Sequence, residues 1–375
     1  MKTKGNGMKL TRNVARGLFA LTVAFSGLGA MGALTAQAEE VASKIEGTVY
    51  FLTPNSQITR FEAYDKPGMD EALKKYAPNL KLVVLSADND PSRQLEQAQA
   101  AVTQGAKAII LAPAVPNQSQ GIVQVAHDAS IPIVGYAYNS DNSDIDYYVT
   151  VPFEPIGEAA ANFAVKTLAD AKKPIRIGLI TGDPSFFFDR EIVSGTEKVL
   201  APLVQKGEVE IVCKSDNLQL SEENARVATD GCLQQAGGDI DAFLVHNDSS
   251  ANGTIAALAA QDLLGKVKVF GGYDSQAGTI QHLLAGNIEN DMVPPYRAMA
   301  DSAVRLVVAL LEKNGEEKKM VNGTYDNGMK AVPAIFNENV FITRDNVQAE
   351  LIDKGILTRE EVCAGPAVKS ALCTK

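Results

Sequence analysis

The sequence predicts an α/β protein of two lobes, each a parallel sheet flanked by helices, joined by a three-crossing hinge. Three observations predict it. Short β-branched runs alternate with longer amphipathic stretches along the chain, the pattern of βαβ units and a parallel sheet. Several runs are apolar throughout, as in Ala108-Ile109-Ile110-Leu111, which suits strands buried on both faces. Roughly nine such strands are too many for one small sheet, and 375 residues suffice for two domains.

The candidate strands of the first lobe are Gly47–Thr53, Leu80–Ser86, 108–112 and Ile133–Tyr136. Those of the second are Ile175–Thr181, 209–213, 242–246 and 267–271. Helical patterns lie between them at 94–103, 118–129, 157–171, 191–204, 222–235 and 251–264. The break comes after Tyr136, where a polar stretch, 139–146, leads into an extended segment, 147–152. Two later segments, 287–295 and 324–341, supply the other crossings. The first lobe is therefore expected at 39–150 plus 294–325 and the second at 151–293 plus 326–350, with a tail at 351–375.

Residues 1–38 stand apart. Lys2, Lys4, Lys9, Arg12 and Arg16 precede an apolar run, 17–34, and then Ala36-Gln37-Ala38. This is the order of a secretory signal peptide, with cleavage expected after Ala38 and a periplasmic product. No cysteine follows that site, so a lipid anchor is not expected. Cleavage takes the net charge from −10 to −15 by removing five basic residues and no acidic one. Such an acidic chain is a poor nucleic-acid binder, because phosphate neutralisation needs clustered Lys and Arg.

All four cysteines lie in the exported part. An even count in an oxidising compartment suggests two disulfides. Local pairing, Cys213 with Cys232 and Cys363 with Cys373, is the simplest of three connectivities. No CxxC pair and no neighbouring histidine suggests a metal site, and no cofactor is expected.

In open α/β sheets the ligand sits outside the carboxyl ends of the strands. The residues there are informative. Asn55 follows the first strand and Asp88 the second; Ala137-Tyr138 follows the fourth. In the second lobe come Asp183-Pro184-Ser185-Phe186-Phe187-Phe188-Asp189, then His246-Asn247-Asp248, then Gly272-Tyr273-Asp274. Amides and carboxylates take hydroxyls while rings cover C–H faces, so this set suits a polyhydroxy ligand.

Here the chain resembles a known family: periplasmic sugar-binding proteins of the ribose/galactose/xylose type, the solute-binding components of ABC importers, with the type I periplasmic-binding-protein fold of two Rossmann-like lobes. The D-xylose-binding branch is the nearest in look. The resemblance covers 45–362 and rests on Ile58-Thr59-Arg60-Phe61, Asp144-Ile145-Asp146-Tyr147-Tyr148, Asn247-Asp248, Asp326-Asn327-Gly328-Met329-Lys330-Ala331-Val332-Pro333 and Arg344-Asp345-Asn346-Val347. It implies that Arg60 binds sugar and that Phe61 occupies the place of a stacking tryptophan. It also implies that Asn247 and Asp274 take hydroxyls from the second lobe.

The chain departs from that pattern in four places. Ala137-Tyr138 stands where the family commonly has Asp-Arg, and Gln219 where the xylose branch has a second tryptophan. Val293-Pro294 stands where it has a lysine, and Phe186-Phe187-Phe188 replaces polar residues. The expected ligand is therefore a sugar or sugar-like polyol, but not D-xylose held in the xylose manner. Full candidate contacts are Arg60, Phe61, Asn55, Asp88, Tyr138, Asp183, Phe187, Phe188, Asp189, Asn247 and Asp274.

Catalysis is not expected. No GxGxxG follows the first strand, GxSxG, HExxH and P-loop motifs are absent, and His127 and His282 lie within helical patterns without triad partners. His246 is the one catalytic-looking position. The resemblance implies capture of the ligand by hinge closure and delivery to an ABC permease in the inner membrane by a monomer. The alternative is a sensory component that presents its closed form to a chemoreceptor or membrane kinase. A transcription regulator of this fold would need an N-terminal DNA-binding module, and none is present.

Overall fold

A computed structural model describes residues 42–56 and 60–374. The signal-peptide segment and the Ile58-Thr59 pair lie outside the described residues. Along the first sheet the strands are β1 (Gly47–Thr53), β2 (Leu80–Ser86), β3 (Ala108–Leu111), β4 (Ile133–Tyr136) and β5 (Tyr147–Thr150). The second sheet holds β6 (Ile175–Thr181), β7 (Val209–Asp216), β8 (Ala242–Val245) and β9 (Lys268–Gly271). Four later strands are β10 (Asp291–Val293), β11 (Gly323–Asp326), β12 (Ala331–Phe336) and β13 (Val340–Ile342).

The first sheet has the order β11-β12-β5-β4-β3-β1-β2, and the second β7-β6-β8-β9. All pairings within these sheets are parallel except the edge hairpin β11–β12. Alternation explains why the strands read as apolar throughout. Val49 and Phe51 pack into one core, while Tyr50 and Leu52 pack into the core on the opposite face. Phe243 and Val245 do the same against Ala242 and Leu244 in the second sheet. Both faces need an apolar residue, so no polar position interrupts the run.

The flanking helices are α1 (Lys66–Tyr76), α2 (Pro91–Thr103), α3 (Gln120–Asp128), α4 (Glu154–Thr167), α5 (Phe187–Gln205), α6 (Glu222–Gln235), α7 (Asp248–Ala260), α8 (Ala277–Ala285) and α9 (Tyr296–Glu312). Asp90 caps α2 by accepting from Ser92 and Arg93 N–H groups, and Asn247 caps α7 through Ser250 N–H. Helix α5 begins four residues earlier than its periodicity predicts. Phe187, Phe188 and Asp189 thereby enter its first turn rather than a loop, where Asp189 also meets the positive end of the helix dipole.

The chain passes between the two sheets three times, after β5, between β10 and α9, and between β12 and β13. One boundary needs correction. The sequence places 326–350 in the second lobe, but β12 pairs with β5 in the first sheet. The polar run 327–330 is the turn of the β11–β12 hairpin, not a crossing; the third crossing is 337–339.

Both local cysteine pairs are joined. Cys213 on β7 bonds Cys232 on α6, and Cys363 bonds Cys373 in the tail, with S–S distances of 2.06 and 2.03 Å. No helix of the described residues is long and apolar enough to cross a membrane.

Candidate ligand-binding site

A cavity of about 540 Å³ opens where the carboxyl ends of the two sheets converge. The first sheet contributes Ala137 and Tyr138 after β4, together with Arg60 and Tyr64 from the turn leading into α1. The second contributes Phe188 and Asp189 after β6, His246 and Asn247 after β8, and Tyr273 to Gln276 after β9. Phe153 and Tyr296 enter from two of the crossings.

On the first-sheet side the Arg60 guanidinium is already paired. The Arg60 Nε donates to Asp65 Oδ2 at 2.8 Å and its Nη2 to Oδ1 at 3.2 Å. Tyr136 Oη donates to the same Oδ1 at 2.6 Å. Asp65 and Tyr136 are fully buried. Burial opposes the Arg60 charge, but the Asp65 carboxylate overcomes it and holds the guanidinium well above its usual pKa. The guanidinium also lies 4.8 Å from the centroid of the Tyr296 ring, a ring that stacks on Tyr64 at 4.9 Å. Arg60 is thus presented as a fixed cation between aromatic faces.

The second-sheet side differs. Among the described residues nine buried side-chain N or O atoms lack a partner, and six belong to Asp189, His246, Asn247, Ser275, Asn290 and Asp291. All six sit where strands β6, β8 and β9 end or where β10 begins. Native interiors leave few such groups unsatisfied, and four of these residues, Asp189, His246, Asn247 and Ser275, line the cavity, which makes it the place for a ligand to supply the missing partners. Burial pushes the Asp189 carboxyl up to about 7 and the His246 imidazole down to about 3. His246 is therefore neutral, with its Nε2 3.1 Å from Thr196 Oγ1, and carries no catalytic partner. Asp274 is exposed to the cavity, and its carboxylate has no hydrogen-bond partner among the described residues. Its surroundings raise its pKa by desolvation, while Arg60 opposes that rise.

The backbone around the cavity is also unusual. Ala137, Leu220, Asp274 and Ser275 line it with φ of 60°, 50°, 102° and 51°. L-residues with side chains avoid this region, and such strain concentrates at functional sites.

Of the predicted contacts, Arg60, Tyr138, Phe188, Asp189, Asn247 and Asp274 line the cavity. Five do not. Phe61 is fully buried in the first-lobe core, edge-on to Phe51 and Tyr138, so it backs the Tyr138 ring instead of stacking on a ligand. Asp88 lies on the surface in an ion pair with Arg93 at 2.6 Å. Asn55 lies at the end of β1, outside the cavity lining. Phe187 packs against Phe153 and Tyr325. Asp183 accepts from the N–H groups of Ser185 at 2.9 Å and Gln219 at 2.8 Å. These bonds hold its carboxyl below the usual range and tie the β6 loop to the turn that presents Leu220.

The residues missed include Tyr64, Phe153, Tyr273, Tyr296, Leu220, and Leu357 with Glu361 from the tail. Tyr273 precedes Asp274 directly and could have been read from its position after a strand. Leu220 follows β7 in the same way, while the others arrive from helices, crossings and the tail, for which the strand-end rule gives no signal. No cluster of three or more His, Cys, Asp or Glu side chains suited to a metal ion occurs among the described residues.

The family model described as a periplasmic binding protein domain matches residues 49–317. A D-xylose-binding periplasmic protein of Haemophilus influenzae is 27% identical over 81% of this chain and 89% of its own length. A multiple sugar-binding periplasmic receptor, ChvE, of Rhizobium radiobacter is 28% identical over 73% of this chain and 81% of its own. Among solved structures, an ABC transporter solute-binding protein from Clostridium phytofermentans with bound β-D-glucose aligns with a TM-score of 0.72 at 26% identity, covering 84% of this chain and all of that one. These relatives are binding and receptor proteins rather than enzymes. The chain belongs to the periplasmic binding protein domain family.

Proposed function

We propose that this protein is a periplasmic solute-binding protein that captures a sugar or sugar-like polyol between its lobes and delivers it to an ABC permease in the inner membrane. One observation carries the reading: aromatic faces and unpartnered polar groups converge on a single cavity at the carboxyl ends of two sheets. Sugars present both surfaces at once, C–H faces that stack on rings and hydroxyls that satisfy amides and carboxylates. Arg60, Asn247 and Asp274 would fix the hydroxyls, and Tyr138 and Phe188 would cover the apolar faces. The names of the relatives agree with this class of ligand.

The mechanism is closure about the three crossings. Ligand bound to both lobes favours the closed state only by its differential affinity for it. The prepaired Arg60 suits an initial contact, since it needs no rearrangement. The unpartnered second-lobe groups then gain their hydrogen bonds on closure. Export follows from the basic-apolar-Ala36-Gln37-Ala38 order and cleavage after Ala38, and the protein acts as a monomer.

The ligand differs from D-xylose held in the xylose manner, because Tyr138 and Leu220 bring a ring and an aliphatic side chain to the cavity. A site that loses polar groups no longer selects for the hydroxyls they would have paired. Calorimetry against pentoses, hexoses, polyols and nucleosides tests this. Tight D-xylose binding that survives Tyr138→Ala overturns it, and small-angle scattering without ligand-induced compaction overturns the closure. A sensory role is the second reading, favoured by the relative named a receptor; uptake of labelled ligand that persists in a deletion strain would support it over transport.

A further inference from the structure

Beneath the cavity the second lobe holds two carboxyls that do not line it. Asp248 opens α7 and Asp291 opens β10, at 1% and 0% exposure. Asp248 Oδ1 accepts the Tyr273 N–H at 3.0 Å, and its Oδ2 accepts the Gln276 N–H at 2.5 Å. It thereby grips both ends of the segment 273–276, every residue of which lines the cavity. Asp291 Oδ1 accepts the Met292 N–H at 2.6 Å, and its Oδ2 accepts from no donor. The Met292 carbonyl in turn accepts the Asp274 N–H at 2.9 Å. The loop is thus tied to both acids.

The two carboxyls meet at Gly272. A Cβ built there would lie 2.7 Å from Asp291 Oδ1 and 3.2 Å from Asp248 Oδ1, and the φ of +100° also demands glycine. Both Oδ1 atoms therefore face one buried point, and each carboxyl bears on the ionisation of the other. Two buried carboxylates in contact repel and cannot both ionise at low cost. One proton between them turns that repulsion into a strong, charge-assisted O–H···O bond.

We propose that Asp248 and Asp291 share a single proton, and that Asp291 is thereby a positioning residue which holds the 273–276 loop, and with it Asp274, in the ligand-binding arrangement. Among the described residues no cation is paired with either carboxyl, and the neutral neighbours are the Thr279 hydroxyl at Asp248 and the Ser275 hydroxyl at Asp291. Asp274 adds further negative charge. Glu289 on the approach to β10 is engaged by Lys268 at 2.6 Å and Arg344 at 2.8 Å. His246 is neutral, and Arg60 acts on Asp274 across the cavity. Burial raises both carboxyls, Asp274 adds to each and the Asp291 charge adds to Asp248, while the interaction with Asp248 lowers Asp291, whose carboxyl is pushed up to about 8. A raised acid keeps its proton at neutral pH and loses it as the pH rises, so the loop loosens on the alkaline side. The Asn247 amide and the Arg60 pair do not titrate there and are unaffected.

That Asp274 contacts ligand rests on the function proposed above, whereas the shared proton does not, and hydrogen exchange on the full unliganded chain separates the two. The Tyr273 and Gln276 amides are followed from about pH 6 to about pH 10, corrected for intrinsic exchange. In the wild type their protection should fall by about tenfold or more at the alkaline end, while amides inside β6 and β8 keep theirs. Asp291→Asn, whose amide donates to Asp248 without titrating, should keep protection throughout; Asp291→Ala should lose it at every pH. Flat wild-type protection, or equal loss in the Asn and Ala variants, overturns the proposal. Infrared difference spectra of the wild type at neutral pH supply the check that needs no stable variant: a protonated-carboxyl band that disappears in parallel with the amide protection is expected, and its absence is likewise fatal. Failure to bind any sugar, with both signatures present, would overturn only the function.

Discussion

The two sides of the cavity are built on opposite principles. On the first-sheet side, Arg60, Asp65 and Tyr136 form a closed network in which each charge and hydroxyl is paired inside the protein. On the second-sheet side, Asp189, His246, Asn247 and Ser275 each keep a buried polar atom without a partner, on backbone that is partly left-handed. The first side is therefore preorganised, and its residues belong to the stability of the fold. The second side forgoes stability that its polar groups would gain if paired, and recovers it when a ligand arrives. Substitutions on the first side should cost folding, and those on the second should cost binding or change its pH dependence.

The largest break expected is Arg60→Ala. It strands the Asp65 carboxylate, which is fully buried, with only the Tyr136 hydroxyl as donor. Removing one partner of a buried ion pair costs about 3–5 kcal/mol. Urea unfolding should show the midpoint falling accordingly, with Arg60→Lys giving only partial rescue because lysine cannot reproduce the bidentate fork. An unchanged midpoint would mean that the network is not structural and that the contrast between the sides is wrong.

Asp189 should show the second side's signature in its pH dependence. Burial pushes its carboxyl up to about 7 from the usual carboxylate value. A raised acid favours the folded state at low pH, and that contribution is lost as the pH climbs from about 4 through about 7. The slope is at most about 1.4 kcal/mol per pH unit over this window. Asp189→Asn should remove it, so the wild type should lose stability relative to the variant between about pH 4 and about pH 7. Melting temperatures across that range check the sign, and parallel curves would contradict it.

Asp274→Asn sharpens the same contrast. Its carboxylate has no protein partner among the described residues, so the variant should unfold within about 0.5 kcal/mol of the wild type. Ligand affinity should nevertheless fall by about 2 kcal/mol, the cost of losing a charged acceptor from a bound hydroxyl. Titration calorimetry with the sugar that emerges from the panel, set beside the unfolding curves, separates the two quantities. A variant that folds poorly and binds normally would invert the argument.

The sequence exposed those parts whose chemistry repeats. Continuous apolar runs such as β3 and β8 were legible because both faces are buried. Asn247 and Asp274 were legible because ligands gather at strand ends. Phe61 was not, since the π-helical turn that follows Arg60 carries Phe61 into the core while Arg60 faces the cavity. Asp88 follows a strand as well, but β2 is the sheet's edge, so its loop ends at the surface. Tyr64, Tyr296 and Glu361 reach the site through packing between segments distant in sequence, and no local pattern announces that.

The smallest expected effect tests whether the first-side network is redundant. Tyr136→Phe removes one donor from Asp65 but leaves the bidentate Arg60 pair in place. A single hydrogen bond to a charged group contributes roughly 1.5–3 kcal/mol, and the retained ring still packs against Phe51. Because Arg60 already satisfies both Asp65 oxygens, the loss should fall at or just below the lower end, about 1–1.5 kcal/mol. The double variant with Arg60→Ala should then lose more than the sum of the two single changes, since each donor alone partly protects the carboxylate and their joint removal leaves it bare. Simple additivity in that cycle would show two independent contacts in place of a network, and the first side would be no more preorganised than the second.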